Sequence, residues 1–279
     1  MKTGLYIVAT PIGNIKDISQ RGKETLSEAE VIACEDTRIS KKLLSLLGID
    51  LKKKYITLHD HNEGEHLKQI ISDIKEGKSV ALISDAGSPL ISDPGYKLIK
   101  ECRRQNIYVT TIPGCCALIC ALQLSGMPTN SFMFSGFVPN KDKAKKDAFQ
   151  TVKELKTTII FYETATRIIK TLQAAKEIFA EREIAVVREI SKVYEECLNG
   201  TAEELINHFN QQEPKGEMVL IIAPPIEKEK KYKKEEIIEK LKDALRRMSL
   251  KSAVSIVTEE TKYNKKEIYE LALKIKDEK

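Results

Sequence analysis

Three short loops carry the residues best suited to holding a ligand. They are Thr10-Pro11-Ile12-Gly13-Asn14, the eleven residues from Asp85 to Gly95, and Pro113-Gly114-Cys115-Cys116-Ala117. Each follows a Val- and Ile-rich run that reads as a strand, and open α/β sheets bind ligands beyond the carboxyl ends of their strands. Singly, Pro and Gly after a strand indicate a turn and nothing more. Together, on one edge of one sheet, they indicate a cleft. The middle loop, Asp85-Ala86-Gly87-Ser88-Pro89-Leu90-Ile91-Ser92-Asp93-Pro94-Gly95, is the most informative, because two glycines and two prolines fix its backbone and its small side chains let a ligand approach the main chain. The third opens a helix, whose first N–H groups lack intrahelical partners and can face a ligand.

Other chemistries find less support. Gly77-Lys78-Ser79 imitates the end of a phosphate loop, but residue 72 is Ser and the triplet precedes its strand. The first turn lacks GxGxxG, which removes the usual dinucleotide pattern. His59, His61 and His66 with Glu63 and Glu65 have a permissive spacing for a metal, yet they read better as a substrate-facing loop, and no metal site is expected. The six cysteines, at 34, 102, 115, 116, 120 and 197, form no CxxC pair and read as buried reduced thiols.

Strands alternating with helical segments must position the loops, the pattern of a parallel or mixed sheet. In the first half, strands are expected at Gly4–Thr10, Val31–Cys34, Tyr55–Leu58, Val80–Ser84, Ile107–Thr111 and Phe132–Ser135. Helices are expected at Ile18–Ala29, Ile39–Leu47, after Asn62 as N-cap, at Tyr96–Gln105 and at Ala117–Leu124. Gly136 to Lys141 breaks any period and marks a boundary. The second half restarts with helix Asp142–Leu155, strand Thr158–Tyr162, helix Ala165–Phe179 and strands Ile184–Arg188 and Tyr194–Leu198. Helix Ala202–Asn210, with a Thr201/Glu204 capping box, and strand Met218–Ile222 complete it before Pro224-Pro225. The expected fold is therefore α/β: a domain over 1–136, a second over 137–225, and a basic linker and helical tail over 226–279. Tail helices at Glu235–Arg247, Leu250–Thr261 and Lys265–Ile275 suit a helix-turn-helix or a plain helical cap.

Net charge is +5, and from Pro225 onward sixteen Lys and Arg face twelve Asp and Glu, so most of the excess lies in the tail. This asymmetry suits a polyanionic partner. No run approaches the roughly 18 apolar residues of a membrane span, and the chain reads as soluble, cytoplasmic and starting at its own first residue.

Leu5 to Asn14, Cys34-Glu35-Asp36-Thr37-Arg38, His61-Asn62-Glu63, the Asp85–Gly95 loop, Phe161-Tyr162-Glu163, and Arg188-Glu189 with Lys192 resemble successive signatures of one family. That family is the bacterial 16S ribosomal RNA ribose methyltransferases of the tetrapyrrole-methylase superfamily, and the likeness spans nearly the whole chain, tail included. It implies two α/β domains with mixed sheets, S-adenosyl-L-methionine in the cleft between them, a homodimer, and methyl transfer to the 2′-hydroxyl of a decoding-centre cytidine in the small subunit's 16S ribosomal RNA. Carried over by position, the cofactor site comprises Pro11, Asp85, Gly87, Ser88, Ile91, Cys116, Ala117, Tyr162 and Ala223. Three departures stand out: Cys115 replaces a proline, Thr164-Ala165-Thr166 replaces Ser-Pro-His before Arg167, and the Lys141–Lys146 stretch uses lysine where relatives use arginine.

A ribose hydroxyl attacks poorly until its proton is drawn off. Glu35 or Asp36 is the expected base, with Arg38 or Lys192 positioning phosphate; the alternative is that this cluster is an ion-pair network holding its loop. Lys141, Lys143, Lys145 and Lys146, with Lys262, Lys265 and Lys266 in the tail, are the expected RNA contacts. Two rivals remain: methylation of a tetrapyrrole ring, for which the basic tail has no use, and a non-catalytic RNA-binding assembly factor, against which the intact Thr10–Asn14 and Asp85–Gly95 loops argue.

Overall fold

Two five-stranded sheets organise residues 1–225. The computed structural model describes residues 1–59, 63–226 and 232–277. The first sheet contains β1 (Gly4–Val8), β2 (Val31–Cys34), β3 (Lys54–Thr57), β4 (Ser79–Ile83) and β5 (Val109–Ile112), in the order β3-β2-β4-β1-β5. All its pairings are parallel. Parallel neighbours need crossovers, which helices supply, so both faces are covered and the central strands are apolar without alternation. β4 is buried at every position. Helices α1 (Gln20–Glu28) and α2 (Thr37–Leu46) cover one face around Leu26, Ile32 and Leu44; α3 (Glu63–Lys75) and α4 (Tyr96–Arg104) cover the other around Leu5, Ile70 and Leu98.

The second sheet contains β6 (Phe132–Phe137), β7 (Thr158–Thr164), β8 (Ile184–Arg188), β9 (Glu196–Gly200) and β10 (Glu217–Ile222), in the order β6-β7-β10-β8-β9. β6 and β7 run parallel and the remaining pairs antiparallel, so the mixed pairing expected for both halves belongs to this sheet. Helices α6 (Asp142–Val152), α7 (Ile168–Phe179) and α8 (Ala202–Gln211) pack one face, where Phe149 meets Phe161 at 5.4 Å and Phe179 at 5.2 Å between ring centroids. The other face is packed by α5 (Ala117–Ser125) through Leu118, Ala121 and Leu122.

That last contact corrects the sequence-based division. α5 and β6 close the first half when read along the chain, but both belong to the second sheet, and a boundary at residue 136 would cut through β6. The crossing lies between the end of β5 and the start of α5, in the Pro113–Cys116 loop. Local pattern cannot reveal a strand's partner, since pairing depends on a distant surface.

Caps explain the smaller differences. Ser19 accepts from the Gly22 N–H and Asp36 from the Arg38 N–H, so α1 starts later and α2 earlier than apolar period alone suggests. The Thr201/Glu204 capping box forms as expected. The expected strand at Tyr194 begins at Glu196 instead, leaving Tyr194 in a hairpin loop, 74% exposed. An Asn62 cap, like His61, lies outside the described residues.

Residues 1–225 form one compact unit and 226–279 another. In the latter, α9 (Lys234–Arg247), α10 (Leu250–Thr261) and α11 (Lys265–Asp277) bury Ile237, Leu241, Val254, Val257, Ile268 and Ala272 against one another. Lys262, at φ 54°, turns the chain between α10 and α11. No described helix is long and apolar enough to cross a membrane.

Phe149 joins α6 to β7 and α7 with no exposed surface. Phe149→Ala should lower unfolding free energy by about 3–5 kcal/mol, measured by urea titration of residues 1–279.

Candidate active site between the two sheets

The three loops foreseen in the sequence are stitched together by main-chain and hydroxyl hydrogen bonds. Thr10 and Gly87 exchange both backbone bonds, at 2.8 and 3.1 Å, which ties the loop after β1 to the loop after β4. Gly87 holds φ at +80°, and a Cβ there would stand 3.2 Å from Ile12 Cγ2, so glycine fits both the conformation and the space. Ser88 Oγ donates to the Cys115 carbonyl at 2.9 Å and so ties the second loop to the third.

Between these loops and the second sheet lies a cleft of about 380 Å³. The first half contributes Ile12, Glu35, Asp85 to Ser88, and Ile91 to Asp93. The second contributes Ala117, Phe137, Tyr162, Glu163, Thr164, Ile190, Glu217, Met218 and Val219. Of the expected cofactor residues, Asp85, Gly87, Ser88, Ile91, Ala117 and Tyr162 line it together. Pro11 adjoins the lining residue Ile12. Cys116, the N-cap of α5, lines a neighbouring cavity of about 340 Å³ that shares Ser88 and Ile91 with the first. Ala223 is not in the lining; it packs among the residues beneath α5, and its N–H donates to the Glu183 carbonyl.

Electrostatics separate the acidic groups. Burial raises the Asp85 carboxyl above its ordinary range, against a hydrogen bond from the Asp36 N–H at 3.1 Å. Burial pushes Asp93 further, to about 6, with Glu35 and Asp85 adding repulsion and a Ser84 hydrogen bond opposing it. Burial likewise lifts the Tyr162 hydroxyl to about 12; its ring packs edge-on against Phe134 and Phe137 at 4.8 and 5.4 Å. Glu163 is buried and bound by Arg167 and Thr171, contacts that brace the β7–α7 turn.

Asp36 does not have the character of a base. Its carboxylate caps α2 and accepts Arg38 in a two-toothed pair, at 2.6 Å to Nη2, which holds it down at about 2. The ion-pair alternative describes it, and the base expectation for Asp36 is corrected accordingly. Glu35 does line the cleft. Arg38 is 89% exposed beyond its partner. Lys192 bonds Glu189 at 3.0 Å and Glu217 at 3.4 Å; burial opposes its charge, but these partners outweigh that and raise it.

Lys145 is a second correction: it is 4% exposed, turned beneath α6 toward Asp142, and cannot meet a phosphate. Lys146 pairs with Glu177, while Lys141 and Lys143 are exposed. Lys262, Lys265 and Lys266 are exposed around the α10–α11 turn. Among the described residues no cluster of His, Cys, Asp or Glu suits a metal. The six cysteines are unpaired; Cys34 and Cys102 are buried, the other four half-buried.

Sequence reading passed over Asp93, Glu217, Phe137 and Ile190. Asp93 offered a signal, being the second carboxylate of a loop otherwise made of small and apolar residues. The others are set by the second sheet's docking, which leaves no local mark. Removing the guanidinium in Arg38→Ala should let the Asp36 carboxyl rise from about 2 toward 3.8, followed by carboxyl-carbon NMR titration.

Comparison with known proteins agrees with this geometry. The family model for Tetrapyrrole (Corrin/Porphyrin) Methylases matches residues 4–206, and the model for the RsmI C-terminal HTH domain matches 233–276. A Rickettsia prowazekii (strain Madrid E) protein named Ribosomal RNA small subunit methyltransferase I is 44% identical over 279 residues, covering 99% of this chain and 98% of its own. Its namesake in Haemophilus influenzae is 43% identical, with 96% of each chain covered. Among solved structures, diphthine synthase superposes with a TM-score of 0.62 over 78% of this chain and 89% of its own. Cobalt precorrin-4 methyltransferase superposes with 0.59 over 78% and 94%. At 16% identity each speaks for the fold alone. The chain belongs to the tetrapyrrole (corrin/porphyrin) methylase family, in the branch whose curated members are named ribosomal RNA small subunit methyltransferase I.

Proposed function

We propose that this chain transfers the methyl group of S-adenosylmethionine to the ribose 2′-hydroxyl of a decoding-centre cytidine in 16S ribosomal RNA, acting in the cytoplasm on the small ribosomal subunit. The observation that carries this reading is the cleft itself. It stands at the carboxyl ends of parallel strands in a chain aligned end to end with relatives named for that RNA.

The donor set of the cleft suits the cofactor. Glu35, Asp85 and Glu217 give it anionic walls for a cationic ligand, and Ile12, Ile91, Phe137, Met218 and Val219 give it apolar surface for a base. No side chain caps α5 at Cys116, so its first turn keeps backbone donors for a carboxylate. Asp85, Gly87, Ser88, Ile91, Ala117 and Tyr162 are the holding residues in this reading, with Pro11, Cys116 and Ala223 supporting the loops around them. When bound, S-adenosylmethionine supplies a methyl group on a positively charged sulfur, already activated for transfer. The residues of the cleft then have to bring the acceptor oxygen into line and exclude water. Glu35 stands on the acceptor side, and the exposed Arg38 at its rim suits an RNA phosphate.

Lys141 and Lys143 beside the β6–α6 junction, and Lys262, Lys265 and Lys266 in the tail, supply further charge for the RNA backbone. A homodimer is part of the reading: the open edge strand β6 exposes Phe132 by 42% and Met133 by 40%, apolar surface that a second copy would cover.

Tritium from labelled S-adenosylmethionine, offered to small subunits from a strain lacking this gene, should appear at a single 2′-O-methylated cytidine. Label in a porphyrinoid but not in RNA would favour the ring-methylating rival, and cofactor binding without transfer the assembly-factor rival. Changing Lys262, Lys265 and Lys266 together to Ala should weaken RNA binding at low salt and reduce the slope of log affinity against log salt by about 2–3.

A further inference from the structure

Resting on the ribose-methylation reading, we propose that Asp93 is the catalytic base that takes the proton from the acceptor 2′-hydroxyl. Its side chain lines the cleft shared by the two sheets. Around it the backbone is constrained: Leu90 at φ 72° and Ser92 at φ 66° occupy the left-handed region that side-chain-bearing residues rarely adopt. Two of the three residues before Asp93 thus hold the left-handed conformation.

Four other acids at or beside the cleft already have partners. Asp36 is committed to Arg38, Glu163 to Arg167 and Thr171, and Glu217 to Lys192. Asp85 accepts the Asp36 N–H. The charges acting on Asp93 are those of Glu35, beyond β2, and Asp85, beyond β4, both anionic; from the second sheet Tyr162 of β7 is near enough to feel its charge. Ser84 at the end of β4 provides its hydrogen bond. A carboxylate surrounded by anions and apolar wall has a high proton affinity, and a value near 6 leaves it ionised at neutral pH yet able to accept a proton, as a general base must.

The step balances without further reagents. The O2′–H bond breaks toward an Asp93 carboxylate oxygen, and the electron pair left on O2′ forms the new bond to the methyl carbon. The pair of the broken carbon–sulfur bond remains on sulfur, which becomes a neutral thioether. Asp93 leaves the step protonated and returns its proton to water.

The test compares wild type, Asp93→Asn and Asp93→Glu. In Asp93→Asn, kcat should fall about 10²–10⁴-fold, while the calorimetric Kd for S-adenosylmethionine stays within about threefold. Because the base must be ionised, wild-type kcat/KM for S-adenosylmethionine should rise with pH through about 6 and level off. That limb should vanish from the residual activity of Asp93→Asn and return, displaced, in Asp93→Glu with partial recovery of kcat. Carboxyl-carbon NMR of the ligand-free protein should show a titration near 6 that Asp93→Asn removes. A folded pKa above the unfolded value makes ionisation unfavourable for the fold above pH 6, so Asp93→Asn should melt no lower than wild type at pH 8. An unchanged kcat in Asp93→Asn, a surviving limb, or a loss explained wholly by weaker cofactor binding would overturn the assignment. Should Asp93→Asn fail to fold, an undisplaced limb in Asp93→Glu does the same. A wild-type enzyme that leaves no 2′-O-methyl group on RNA overturns the ribose reading instead.

Discussion

Two backbone hydrogen bonds between Thr10 and Gly87 are the constraint on which the cleft depends. They form an isolated antiparallel bridge just beyond the parallel β1–β4 pairing, and so tie together the loops that leave the two strands. Everything that lines the first half's wall follows from that exit. Ile12 is set against Gly87, Ser88 is placed to reach Cys115, and the chain from Asp85 to Asp93 is turned across the mouth. Glycine suits both demands at 87, a left-handed backbone and a neighbour, Ile12 Cγ2, that would stand only 3.2 Å from a Cβ. The chemistry of the site therefore rests on a position that has no side chain.

Much of the fold was legible because burial writes itself into sequence. The apolar runs of β1, β4, β8 and β10, and the three tail helices, follow directly from period and capping. The loops at the strand ends were legible from their glycines and prolines, and they do meet at one edge of the first sheet. What escaped was every feature fixed by a distant partner. β6 reads as the natural end of the first half until it is seen paired with β7, and Lys145 reads as a surface cation until it is seen on the buried side of its own helix, α6. Asp36 shows the same limit in electrostatic form. Two acids before a helix suit a base equally well or an N-cap, and Arg38 decides between them by geometry that spacing alone does not contain.

The two sheets divide the work. The parallel sheet, covered on both faces, presents loops tied to one another by hydrogen bonds, with Asp85 and Asp93 among small and apolar residues. The mixed sheet offers flatter, more apolar ground: Phe137, Tyr162, Met218 and Val219, with Ile190 arriving from the β8–β9 hairpin. Lys192 in that hairpin pairs with Glu189 and with Glu217 of the cleft lining.

The crossing at Pro113–Cys116 has a consequence for how this protein can be taken apart. The covalent passage from one sheet to the other is itself one of the three ligand loops. A gene split at residue 136 would strand β6 and α5 with the wrong half, and a split at the true crossing would sever the loop that Ser88 holds in place. Neither half can thus be inherited, swapped or expressed as a module without destroying the cleft, whereas the tail beyond Pro225, with its own buried core, has the makings of an interchangeable part.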